Sequence, residues 1–226
     1  MISFDESVYA LMFTTGLLGG VGHCSGMCGP LAIALAPRFV EHKWRAQLLM
    51  NLGRLLAYAF IGGVLAAAGA LLGLVAIAGL QEVTLIVAGL VMIVGGLVTL
   101  GVPGLARLVP RLHSPLSGAL KLFANARGLG AAFSIGMFWG LLPCGLLYSA
   151  FVAAIGAGAD AGHPVWAWLK GASILFLFGL GTLPTVMGIG VAASSMRART
   201  RSVLQRFAGL IVVVTGVLFV VRAVHG

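Results

Sequence analysis

The sequence predicts an all-α, polytopic membrane protein of six transmembrane helices, arranged as two inverted repeats of three. Three observations predict it. The chain of 226 residues is 60% hydrophobic and only 8% charged, with a mean hydropathy of +1.11, the composition of an integral membrane protein. Six apolar runs of about the 20 residues a helix needs to cross hydrocarbon fall at about 8–36, 50–75, 83–102, 129–157, 169–192 and 205–222. Finally, Ala88-Gly89-Leu90-Val91-Met92-Ile93-Val94-Gly95-Gly96 in the third run matches Ala208-Gly209-Leu210-Ile211-Val212-Val213-Val214-Thr215-Gly216 in the sixth at five of nine positions. The alternating pattern of a membrane barrel is absent. An odd number of crossings reverses the chain, so two three-span repeats must be inserted in opposite senses, with a working site expected near the midplane at broken helices. One domain, 1–226, is expected, with repeat one at about 8–102, a cytoplasmic connector at about 103–127 and repeat two at about 128–222.

The first run carries Gly22-His23-Cys24-Ser25-Gly26-Met27-Cys28-Gly29-Pro30 and the fourth carries Leu142-Pro143-Cys144-Gly145. Proline removes a helix hydrogen bond and glycine weakens the helix, so Gly29, Pro30, Pro143 and Gly145 are read as helix breaks. Cys28-Gly29 and Cys144-Gly145 then stand at corresponding places in the two repeats. Glycines at 62, 63, 69 and 73 in the second run, and at 179, 181, 188 and 190 in the fifth, allow close backbone approach. Pro184 should kink the fifth run and offers a hinge. Arg54 lies close to the start of the second run, where snorkelling to the interface is expected. Met12, Met50, Met92, Met137, Met187 and Met196 are read as core, and Trp44, Trp166 and Trp168 as interfacial anchors.

Orientation follows from Lys and Arg. Arg38, Lys43 and Arg45, then Arg107, Arg111, Lys121 and Arg127, then Arg197, Arg199, Arg201 and Arg206 fill alternate loops. Those loops are expected in the cytoplasm, with both termini outside. The net charge of +9 is therefore a topology signal, and its dispersal over three loops argues against nucleic acid as a partner. The first residues lack the basic stretch of a cleaved signal peptide.

Two chemistries fit thiols at helix breaks. In thiol-disulfide exchange a thiolate attacks a partner's disulfide and a second cysteine resolves the mixed disulfide, moving two electrons with no cofactor. Cys28 and Cys144 suit this if the halves are symmetric. The alternative is a Cu(I) or soft-metal site. On a regular helix Cys24, Met27 and Cys28 share a face, and two thiolates with a thioether suit Cu(I), His23 adding a nitrogen from the adjoining face.

The segments from Gly20 to Pro30, from Asn51 to Tyr58, from Gly140 to Tyr148 and from Gly179 to Pro184 resemble the UreH-like transmembrane domain. That family carries the label sulfite exporter TauE/SafE-like and is grouped with the transmembrane domain of the CcdA/DsbD cytochrome c biogenesis proteins. The resemblance implies that Cys28 and Cys144 are the redox pair of an inner-membrane carrier of reducing equivalents, taking them from a cytoplasmic thioredoxin-like donor to an extracytoplasmic thiol acceptor. His23, Cys24 and Met27 are additional to a two-cysteine carrier and favour a metal-linked role, with a metallochaperone as acceptor, such as copper handling for oxidase assembly. Export of sulfite or another small sulfur anion rests on the family label. The expected location is the bacterial inner membrane.

Overall fold

The computed structural model describes residues 4–35, 39, 42–72, 128–141 and 144–225, with positions 86, 89, 90, 92–94, 96, 97 and 100. The connector at 103–127 and most of the third apolar run lie outside the described residues, as does Gly73. No strand occurs among those described. Helix α1 (Phe4–Gly19) runs through a π-helical turn (Gly20–Cys24) into α2 (Ser25–Leu35). The long α3 (Lys43–Leu72) follows. Beyond the connector come α4 (Leu129–Gly140), α5 (Gly145–Ala159), α6 (Pro164–Ser195) and α7 (Ala198–His225).

The interior is apolar, but so is much of the outer face, where a water-soluble bundle would be polar. On α3, Leu48, Leu52, Leu56, Phe60 and Val64 recur every fourth residue and all are exposed, while Gln47, Asn51 and Arg54 on the opposite side are buried. Water would penalise that arrangement; hydrocarbon favours it. Helices α3 and α6 are each long and apolar enough to cross a bilayer. Trp44, Trp166 and Trp168 are exposed, as interfacial anchors should be. Met12, Met50 and Met92 are core residues, but Met137 is 40% exposed and turns outward.

Glycine sets the closest helix contacts, and several of them come in matched pairs. A Cβ on Gly16 would overlap the Phe178 carbonyl oxygen, as one on Gly136 would overlap that of Met50. Gly181 lies against the Phe13 carbonyl and Leu17 amide; Gly53 lies against the Phe133 carbonyl and Met137 amide. Gly20 meets Thr182 and Thr185, and Gly140 meets Arg54 and Ala57. Likewise Gly62 meets Leu175 while Gly190 meets Gln47. In the repeated nonapeptide, Gly89 lies against the Gly216 carbonyl and Gly96 against that of Gly209. A Cβ on Gly188 would meet nothing within 4 Å among the described residues.

One expected irregularity is corrected. Gly29 and Pro30 lie inside α2, and the departure from α-helix comes one turn earlier, at Gly20–Cys24. A π-turn inserts extra backbone into a continuous helix, so the span deforms where glycines cluster without ending at the proline. In the fifth run α6 passes through Pro184 as one helix.

Candidate thiol site at the helix contacts

Cys144 sits where a span breaks. Helix α4 stops at Gly140, and Cys144 is extended (φ −132°, ψ 156°) as the N-cap of α5, its Sγ accepting from the Leu147 amide at 3.4 Å. A helix N-terminus presents unpaired N–H groups and partial positive charge to whatever caps it, here a sulfur. Gly145 begins α5; Pro143 lies outside the described residues.

In the first span the π-turn ends on Cys24, which is buried, and Cys28 follows one turn later inside α2. Cys24, Cys28 and the Trp139 side chain of α4 lie beside one another. Cys24 joins a core of Met50, Trp139 and Val186, against which Cys28 packs. Cys144 packs against the adjoining core of Tyr58, Leu147 and Phe178. All three cysteines are free, and Cys144 lies within electrostatic range of both Cys24 and Cys28. The structure therefore places the three thiols, from two apolar runs, in adjoining parts of the interior.

Arg54 is the residue that the sequence reading misplaced. It is 1% exposed and does not snorkel. One nitrogen, Nη2, donates to Thr182 Oγ1, whose hydroxyl donates in turn to the Gly179 carbonyl at 2.8 Å. The guanidinium lies 5.6 Å from the Tyr58 ring centre and 5.8 Å from that of Trp139, a cation-π setting. Nε and Nη1 have no hydrogen-bond partner among the described residues. The cation lies within electrostatic range of Cys24, Cys28 and Cys144. Its signal in the sequence was an ionisable residue inside an apolar run, a functional marker by default; only the packing shows which way it points.

Of the expected soft-metal set, Cys24 and Cys28 lie beside each other. The Met27 side chain is outside the described residues, and among those described no three of His, Cys, Asp or Glu converge as a metal site. His23 Nε2 is buried without a hydrogen-bond partner among them.

The sequence profile of the cytochrome c biogenesis protein transmembrane region matches residues 11–218. The chain belongs to this family. No curated protein matches the chain, and neither does any solved structure. Membership makes this a membrane domain and supports a function of the cytochrome c biogenesis, thiol-disulfide transfer kind. Within this cytochrome c biogenesis family the match encloses all three cysteines, Arg54 and Thr182.

Proposed function

We propose that the protein carries reducing equivalents across the bacterial inner membrane by thiol-disulfide exchange between Cys28 and Cys144. The observation that carries the reading is the placing of free thiols from the first and fourth spans within electrostatic range of a buried cation, with no disulfide joining them. A cytoplasmic dithiol of the thioredoxin class attacks the Cys28–Cys144 disulfide, passes through a mixed disulfide and leaves oxidised, delivering two electrons. The reduced pair then attacks an extracytoplasmic disulfide and returns to the oxidised form. No cofactor enters either half-reaction.

Six spans in two inverted repeats, with both termini outside, are the architecture for this cycle. Its support is the reciprocity of several glycine contacts: those of Gly16, Gly20, Gly53 and Gly62 in one half are repeated by Gly136, Gly140, Gly181 and Gly190 in the other with partners exchanged. A two-fold axis in the membrane plane generates that pattern. Such an axis passes between Arg54 and Thr182, the counterpart positions that hydrogen-bond to each other.

The test is trapping. Cys28→Ser and Cys144→Ser variants should each accumulate a mixed disulfide with a thioredoxin-class protein in native membranes, while the wild type forms a Cys28–Cys144 disulfide on mild oxidation. A wild type that never forms this bond would overturn the reading.

A further inference from the structure

None of the chain's 5 acidic residues, Asp5, Glu6, Glu41, Glu82 and Asp160, lies within the six apolar runs. Arg54 is a buried cation with no carboxylate beside it among the described residues. An unpaired buried charge costs several kcal/mol even after relaxation, on the order-of-magnitude scale for protein interiors, and a neutral hydroxyl and two aromatic faces return only part of that. The guanidinium keeps Nε and Nη1 unpaired among the described residues. Within its electrostatic range are three thiols, whose exchange chemistry creates anions, and the Tyr58 phenol. Trp139 bridges thiols and cation, lying beside Cys28 and presenting its ring to the guanidinium.

We infer that Arg54 is the countercharge for the thiolates of the exchange cycle, holding the sulfur anion that attacks or departs at Cys28 and Cys144. This inference rests on the proposed exchange function and names the residue that makes it feasible inside a bilayer. When the Cys28–Cys144 disulfide is attacked, the S–S bond breaks, a new S–S bond joins one cysteine to the incoming sulfur, and the other leaves as thiolate. That negative charge appears in a low-dielectric interior where water cannot solvate it. Arg54 supplies a positive charge whose Nε and Nη1 donors are unpaired among the described residues. It lies within electrostatic range of both cysteines, so one cation serves both half-reactions. Thr182, the counterpart position, is neutral, which avoids two like charges at the axis.

The experiment uses reduced full-length protein in lipid nanodiscs, with alkylation of each cysteine by N-ethylmaleimide followed by peptide mass spectrometry at one fixed pH. Arg54→Gln should slow alkylation of Cys28 and Cys144 by about tenfold, since thiolate fraction governs the rate and nucleophilicity offsets part of the change. Arg54→Lys should recover most of the rate. Thr182→Asp provides the second arm and keeps Arg54 in place: a carboxylate against the guanidinium should slow alkylation as Arg54→Gln does, while Thr182→Asn, of equal size and neutral, should react faster than Thr182→Asp. A purely structural role for Arg54 does not distinguish Asp from Asn in that direction. Equal rates in wild type, Arg54→Gln and Thr182→Asp would overturn the inference; if Arg54→Gln does not accumulate, equal rates in Thr182→Asp and Thr182→Asn would do so. Oxidation of the same wild-type samples reads the exchange function separately, because failure to form the Cys28–Cys144 bond removes the carrier reading whatever the alkylation rates show.

Discussion

At the scale of single residues, the interior of this protein is organised around one hydrogen bond between two helices. Thr182 Oγ1 accepts from Arg54 and donates to the Gly179 carbonyl, so it anchors the guanidinium to the backbone of α6. A hydrogen bond to a charged group is worth about 1.5–3 kcal/mol in water-soluble proteins, and about 1–2 kcal/mol is a fair scale within membranes. Thr182→Val should therefore lower stability by about 1–2 kcal/mol, read as an earlier transition in denaturation of the protein in detergent micelles. Cys24 carries a second prediction at this scale. Its thiol lies beside Cys28 but does not belong to the proposed pair, so Cys24→Ser should leave the wild-type Cys28–Cys144 disulfide intact on oxidation. Loss of that disulfide in Cys24→Ser would instead make Cys24 a member of the exchanging set.

Helices here are positioned by what glycine leaves out. At Gly136 the neighbouring Met50 backbone occupies the space a side chain would need, and the relation between Gly16 and Phe178 is the same. Main chain cannot step aside as a flexible side chain can, so Gly136→Ala should push α4 from α3 at a cost of about 1–3 kcal/mol, the range for overpacking. Gly156 lies inside α5, and a Cβ there would meet nothing within 4 Å among the described residues. Gly156→Ala should be neutral or stabilising by up to about 1 kcal/mol through helix propensity. Denaturation midpoints of the two variants in one detergent check the contrast. The cysteine breaks belong to the same scale. Proline beside Cys144 announced a break and α5 does start there; proline beside Cys28 announced one too, yet the helix absorbs it and deforms at Gly20–Cys24. A lost backbone hydrogen bond has several remedies within a packed bundle, and residue spacing alone does not choose among them.

Across the whole molecule, the proposed topology puts the turn before α6 and the turn after it on opposite sides of the membrane. The 32 residues of α6 rise about 48 Å at 1.5 Å each, more than the roughly 30 Å of hydrocarbon. His163 and Arg199 are exposed at its two ends. In a cysteine-free background, His163→Cys should react with an impermeant maleimide on intact cells, and Arg199→Cys only after permeabilisation. Labelling of both from one side would contradict the orientation read from Lys and Arg.

What the sequence determined by itself was the class of protein, the apolar runs and the cysteines worth attention, because hydrophobic length and proline or glycine punctuation are local properties of the chain. The nonapeptide match at residues 88–96 and 208–216 also pointed to two related halves, since a repeat leaves its trace in composition and spacing. Tertiary structure decided the rest. Whether Arg54 reached the interface or turned inward depended on which face of α3 met α6, and the helix contacts fixed by Gly53, Gly140 and Gly181 set that face. Whether Cys144 came near Cys24 and Cys28 depended on how the helices holding them packed through the interior. Both are consequences of packing between segments far apart in the chain, where small residues permit an approach whose partner and direction no local pattern encodes.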